Sequence, residues 1–422
     1  MKQRLTLKTM LLYSVANCGV NMVSAFTNAA LPLFLLPYGL PGWLVGLLAQ
    51  ERSGVGGIVQ PIIGRVSDRT RTRFGRRRPF YLVGAPITAL ALAGLALHPP
   101  FAITLALISI LALLLAVAND PYIAMMADIA PEEQRGRLGS FVGILGMGGQ
   151  VVALLAMAMF WDEHQPLVTI GIGVGLVICF AITFLTVPEP PIPAAAPKEA
   201  AHSPTGGVPI VRYLKDVFSY REVAKYSVAM AFFWLGGGAA SPFLTRFGVA
   251  ELGVSEQTAF ILVMLLVLGT GVFAFPAGLL GDRWGKKRVM SVGLAFFAVA
   301  IIIGSQARTM EQLLVAILFV SLGNTIPFVL NYPMLTDLIP QERAGEFVGL
   351  GSMLWSIGQP VGALLGGALF DVTGGYRVTF IFSGLMMIAA FVALQQVRPP
   401  TRSTAQVPEP PFVEPVGAIE GA

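Results

Sequence analysis

Charge is what this sequence has least of. Only 12% of its 422 residues are Asp, Glu, Lys or Arg, about half the share that a soluble domain carries. Cysteine is nearly absent. Cys18 and Cys179 both lie in apolar runs and form no CxxC pair, which indicates neither a disulfide framework nor a structural zinc site. The three histidines, His98, His164 and His202, lie in loops or at the ends of apolar runs and do not cluster. The chain has no G-x-x-x-x-G-K-[ST] phosphate loop, no H-E-x-x-H and no G-x-S-x-G elbow. These absences argue against an enzyme and against ATP-driven transport within this chain. They call for no metal and no cofactor.

Apolar runs fill the space that charge leaves. Segments of membrane-spanning length fall at 9–37, 42–64, 80–98, 101–127, 138–161 and 166–187, then at 223–247, 257–281, 288–306, 311–338, 346–370 and 376–396. In a bilayer core the backbone has no partners but its own, so these twelve runs are expected as helices, six plus six. The 47 glycines suit closely packed membrane helices. The expected fold class is an all-α integral membrane protein. Its expected divisions are an N-terminal bundle at 1–187, a linker at 188–222, a C-terminal bundle at 223–397 and a tail at 398–422. The start, MKQRLTLKTMLLYSVANC, has some look of a signal ending in a lipid-modified Cys18. Asn17 stands where a small residue is expected and the apolar run continues past it, so it reads as a first membrane helix that stays.

The net charge of +5 raises nucleic acid as a partner, but the basic residues fall in short gaps between apolar runs, where membrane topology explains them. With both termini in the cytoplasm, 24 of the 28 Lys and Arg are cytoplasmic, Arg52 lies within a run, and Arg246, Arg308 and Arg377 fall outside. A multi-pass protein of the cell membrane follows, in contact with lipid and without nucleic acid. The linker PEPPIPAAAPKEAAHSPTGGVP has seven prolines and reads as extended. IVRYLKDVFSY at 210–220 has helical apolar spacing and reads either as a short interfacial helix or as a run-in to the next span.

The two halves repeat. PYIAMMADIAPEEQRG (121–136) aligns with LNYPMLTDLIPQERAG (330–345) at an offset of 209 residues, matching Asp128 to Asp337, Pro131 to Pro340, Glu133 to Glu342 and Gly136 to Gly345. The same offset carries Gln150 onto Gln359. GRVSDRTRTRFGRRR (64–78) likewise resembles GLLGDRWGKKR (278–288). Two six-helix halves with this repeated loop resemble the major facilitator superfamily. SDR…R-x-GRRRPF with NDPYIAMMADIAPEEQRG looks like the glycoside–pentoside–hexuronide sugar–cation symporters, and more closely like the sucrose–proton symporters related to them. The second loop, GDRWGKKR, has the generic superfamily form, so the sugar-type match rests on the N-terminal half.

The resemblance implies two bundles rocking about a midplane site. It implies that the loop aspartates, Asp68 and Asp282, pair with neighbouring cations and helix ends to latch one conformation. Gly64, Arg69, Gly75, Arg76 and Asp128 belong to that gate in the first half, and Arg283, Gly285 and Asp337 in the second. Topology and lipid headgroup contact account for the arginines equally well.

Charges within spans are costly and usually functional. Three stand out: Glu51, Arg52 and Asp120. Glu51 lies about 13 Å inward from Gly42, and Asp120 about 12 Å before Asp128, at 1.5 Å per residue. Arg52 cannot neutralise two carboxylates. The spare negative charge is expected to carry a proton, with Asp120 first and Glu51 second, because Asp120 occupies the acidic position of the sugar-symporter resemblance. A structural ion pair between the second and fourth runs is the alternative, and sodium could replace the proton. Asn17, Asn21 and Asn28, with Ser24, share one helix face and suit sugar hydroxyls or interhelical hydrogen bonds. Asn119, Gln150, Asn324, Asn331, Trp355 and Gln359 complete the expected solute contacts. Trp234 and Trp355 would stack on a sugar ring or simply pack. The solute is expected to be a small polar molecule, a sugar first, bound by a monomer, since two bundles suffice. A proton-driven exporter of drugs or other amphiphiles is the rival reading, and a non-transporting sensor or assembly factor a third.

Overall fold

The computed structural model describes residues 4–189, 218–339 and 344–398. Most of the linker, most of the 210–220 segment, the tail from 399, and Pro340 and Glu342 of the repeat lie outside them. The described residues are helical, with no named strand among them.

α1 runs Leu7–Ala25, widens into a π turn at Phe26–Ala30 and resumes at Leu31–Phe34. Pro32 lacks the N–H that would close a regular turn, and a π bulge upstream is one way for a helix to absorb that loss. α2 is broken: Gly42–Ala49 stops, Gln50 leaves helical geometry at φ −107° and ψ 10°, and Glu51–Arg69 continues. α3 is Arg78–Leu95 and α4 Phe101–Ile129. α5 and α6 are two arms of one hydrogen-bonded run, Glu132–Thr186, joined through the single non-helical residue His164 (φ −135°, ψ 34°). The sequence suggests a separating loop here. Instead the chain turns at one residue, just before Pro166, whose ring would clash in a continuous helix.

The second half begins with α7, Arg221–Ala240, carried on through Ser241–Phe243 to Leu244–Leu252. α8 is Glu256–Trp284, α9 Lys286–Gly304, α10 Met310–Thr336, α11 Ala344–Thr373 and α12 Arg377–Gln395. Ten helical segments among the described residues are long and apolar enough to cross a membrane. Glu132–Thr186, at 55 residues, holds two crossings. α2 falls short because Gln50–Ser53 interrupt it and charges gather at its far end.

Apolar packing forms two clusters. One spans Met10 to Val187 and admits Phe260 from α8; the other spans Val223 to Val397. The repeat is visible in their polar ties. Tyr13 donates to the backbone oxygen of Tyr122 at 2.5 Å, and Tyr226 donates to the backbone oxygen of Asn331 at 2.8 Å. Positions 122 and 331 are related by the 209-residue offset.

The loops repeat as well. Gly75 (φ 110°) and Gly285 (φ 87°) both turn the chain through the left-handed region that glycine alone enters freely. Beyond each, cations reach the aspartate that ends α4 or α10. Arg76 and Arg77 each approach Asp128 at 2.6 Å, and Lys286 approaches Asp337 at 2.7 Å. Asp68 pairs with Arg77 at 3.2 Å and Arg76 at 3.8 Å, so the first-half latch closes on its own half. Asp282, by contrast, makes no ion pair with another described residue. Glu189 accepts from the Arg77 backbone N–H at 3.1 Å at the start of α3, a favourable place for negative charge. Asp128→Asn removes the shortest ion pair of both Arg76 and Arg77 and leaves them Asp68 and Glu189. It is expected to cost about 1–3 kcal/mol and to lower the thermal unfolding midpoint in detergent.

Candidate solute and proton site

The interface between the halves places the site. At the end of the molecule away from the arginine loop, α2 and α11 touch through backbone. Asp371 accepts from the N–H of Gly42 at 2.6 Å and of Trp43 at 3.0 Å, capping α2 from the other half. Arg246 Nε donates to the Pro32 carbonyl at 2.7 Å, Thr245 donates to Ala29 at 3.0 Å, and Trp161 Nε1 donates to Glu256 at 2.7 Å. Among the described residues, the ion pairs of the arginine-loop end stay within one half. Open space lies beyond Gly64 and Gly278, the first glycines of the two repeated loops. This conformation is therefore closed at the end away from the loops, and among the described residues no ion pair joins the halves at the loop end.

Asp371→Asn keeps the shape but removes the charge that favours the α2 N-terminus. The expected outcome is a shift away from this conformation of about 1–2 kcal/mol, seen as faster labelling of cysteines placed at the closed end.

Between the closed end and the middle runs a polar network that crosses the halves. Gln50 Nε2 donates to Asn28 of α1 at 2.9 Å and to Ser241 of α7 at 3.2 Å. Ser53 donates to Gln50 at 3.4 Å and to Gln359 of α11 at 3.3 Å. The break in α2 puts Gln50 and Ser53 there. Gln50, Ser53 and Ser241 are absent from the residues singled out in the sequence. The available signal was the run Gln50–Ser53, four polar residues in succession inside a span.

The ionisable group lies next to this network. Arg52 donates to Ser24 of α1. It attracts Asp120 of α4 electrostatically without a direct ion pair between them. Asn119 lies beside Asp120, and Ser109 of α4 lies beside Glu51. One oxygen of each carboxylate, Glu51 Oε2 and Asp120 Oδ2, is buried without a hydrogen-bond partner. A buried carboxylate in that position must find a counter-charge or take a proton. The Arg52 guanidinium acts on Asp120, and among the described residues no cation pairs with Glu51.

The asparagine face of α1 packs on α5: Asn17 donates to Val142 at 2.8 Å, while Asn21 and Asn28 donate to carbonyls of their own helix. All three remain half-buried. Gln150 is half-buried on α5, and Trp355 packs partly against the second cluster. Trp234 is buried against Phe233 and Phe328. Asn331 is only 4% exposed and accepts from Tyr226 within the second cluster. Asn324 lines a cavity of about 130 Å³ between α7, α9, α10 and α12, otherwise bounded by Ser241, Ser305 and apolar side chains.

The family model described as the Major Facilitator Superfamily matches residues 10–266 and 226–419. The chain belongs to the major facilitator superfamily. It is a transporter and not an enzyme.

Among curated relatives, the human "Proton-associated sugar transporter A" is 28% identical over 43% of this chain and 28% of its own length. "Quinolone resistance protein NorA" of Staphylococcus aureus is 25% identical over 40% of this chain and 44% of its own. "Multidrug resistance protein 3" of Bacillus subtilis is 26% identical over 32% of this chain and 26% of its own. The chain thus spans between about a quarter and under half of the length of these relatives. Among solved structures, a bacterial homolog of the human lysosomal transporter Spinster, inward-facing, has a TM-score of 0.69 at 16% identity over 92% of this chain and 95% of that one. A D-xylose–proton symporter has 0.68 at 14% identity over 93% and 98%. At those identities the likeness is one of fold.

Proposed function

We propose that this major facilitator protein is a proton-coupled sugar symporter of the cell membrane, taking sucrose or a related glycoside. Both termini lie in the cytoplasm on this reading, because that orientation puts the arginine loop and most basic residues inside. The present conformation is then inward-facing.

The observation that carries the proposal is the pair of buried carboxylates, Glu51 and Asp120, each with an unpartnered oxygen and only Asp120 acted on by the Arg52 guanidinium, beside amides from both halves. A proton on Asp120 completes the neutralisation that Arg52 leaves unfinished. The neutral site then crosses the low-dielectric middle of the bilayer at less cost. Asn28, Gln50, Ser53, Ser241 and Gln359 supply donors and acceptors from α1, α2, α7 and α11. Solute hydroxyls that replace these mutual hydrogen bonds would loosen the halves from one another, which links occupancy to rocking. Asn17, Asn21, Asn119 and Gln150 border the same face of the first half. Asn324, Asn331 and Trp355 are the second half's contribution on this reading, with Asn331 acting through Tyr226. Asp68, Arg69, Arg76 and Asp128, with Asp282, Arg283 and Asp337, form the loop-end gate that must approach the opposite half when this end closes.

A second reading has its own support. Similarity to NorA and to a multidrug resistance protein favours proton-coupled export of amphiphiles, and the cavity beside Asn324 is largely apolar. Labelled sucrose uptake into proteoliposomes, with and without an inward proton gradient, separates the two. The symporter accumulates sugar when the gradient is present. A protein that moves no sugar from a panel of glycosides, but expels a fluorescent amphiphile against a proton gradient, is the exporter.

A further inference from the structure

A groove at the loop end of the second half joins a charged rim to an apolar wall. It holds about 1130 Å³ between the ends of α8, α9, α10 and α12. Its rim carries Arg283, Lys286, Lys287 and Arg288 together with Asp282 and Asp337. Lys286 is taken by Asp337 at 2.7 Å, and Lys287 donates to the Gln395 carbonyl at 2.9 Å. Arg283 and Arg288 are exposed and make no ion pair with another described residue. Trp284 stands beside them, 66% exposed. Below the rim the wall turns apolar. Val292, Phe296 and Val299 line the groove, and a second hollow of about 700 Å³ shares Phe296 and Val299 and continues to Ile303. From Arg288 to Val299 is about 16 Å along α9, close to half of a bilayer's hydrocarbon thickness of about 30 Å.

We infer that this groove is a binding site for an anionic phospholipid, with the headgroup phosphate held by Arg283 and Arg288 and one acyl chain laid along Val292, Phe296 and Val299. Three features converge on that occupant. The rim carries four cations against two carboxylates, and the two that make no ion pair or hydrogen bond with another described residue are arginines, whose planar forks match a phosphate. An exposed tryptophan at the same level suits the membrane interface. The apolar wall has the length of one leaflet. A neutral sugar has no use for the rim, and a soluble anion has no use for the wall. The inference does not depend on the transported solute.

Trp284 reports the site directly. The protein is reconstituted in phosphatidylcholine vesicles containing increasing brominated phosphatidylglycerol or, separately, brominated phosphatidylcholine, and fluorescence quenching is read. Subtracting Trp284→Phe isolates the Trp284 signal. Brominated phosphatidylglycerol is expected to reach half-quenching at a mole fraction at least about fivefold lower than brominated phosphatidylcholine. Arg283→Gln with Arg288→Gln is expected to erase that preference. Arg283→Lys with Arg288→Lys keeps the charge and is expected to retain most of it, which separates lost binding from lost folding. Equal quenching by the two lipids overturns the inference, as does a preference that survives the glutamine pair. A preference seen only after residues 399–422 are removed also overturns it, and assigns the groove to the chain's own tail, with its Glu409, Glu414 and Glu420.

Discussion

Asp120→Asn is expected to abolish the stimulation of solute uptake by an inward proton gradient while leaving solute binding intact. The amide has nearly the shape of the carboxyl and keeps a hydrogen-bonding edge toward Asn119. It carries no titratable proton. On the proposed reading, the gradient loads Asp120 on one side of the membrane and unloads it on the other, so uptake is expected to follow the gradient. In the variant the ratio of uptake with and without the gradient falls to unity. Arg52 then loses the one carboxylate that acts on it, and Ser24 still accepts from its guanidinium. Counterflow of solute, which needs no net proton movement, is expected to survive. Gradient stimulation that persists in Asp120→Asn moves the proton to Glu51, whose buried Oε2 makes it the remaining candidate.

The second large effect concerns conformation. Gly367→Val is expected to drive the protein out of the state described here. A Cβ at position 367 would stand 2.1 Å from the Gly42 carbonyl oxygen, and one at Gly46 would stand 2.3 Å from that of Ala363. Both obstacles are backbone, which has no rotamer to move aside. Overpacking of this kind costs about 1–3 kcal/mol or more. A cost of that size shifts a two-state population by about fivefold to more than a hundredfold. The N–H groups of Gly42 and Trp43 would lose Asp371 in the same movement. Spin labels at Trp43 and Val372, both exposed near this contact, read the result in a background with Cys18 and Cys179 replaced by serine. The expected change is a longer distance across the closed end. An unchanged distance would mean that the two backbones separate locally without any rocking of the halves.

Much of this was legible before any coordinates. Twelve apolar runs and a sorted set of basic residues dictate the helical architecture, because a bilayer leaves the backbone no alternative. The 209-residue offset located the paired loops, and the structure shows Asp128 and Asp337 in equivalent ion pairs. Asp120, Glu51 and Arg52 stood out because charge inside a span is rare.

What periodicity could not give is contact between halves. Asp371 is an ordinary acidic residue at a helix end until α2 is seen to start beside it. Glu189 reads as part of a proline-rich linker, yet it caps α3. The break at Gln50 has no glycine or proline at that position to announce it. It becomes intelligible only once Asn28 and Ser241 are found waiting on either side. Asn331 shares a face with Asn324 by spacing, but α7 brings Tyr226 against it and turns its amide into a packing contact.

The most direct test of the central claim is the direction in which protons move when sugar is added without any imposed gradient. Native protein is reconstituted with a pH-sensitive dye trapped inside the vesicles, and sucrose is added outside. Sugar entering with protons acidifies the interior, and the account predicts that sign. Alkalinisation on addition of solute means exchange of solute for protons and contradicts the symporter, as does an unchanged interior pH while labelled sugar enters.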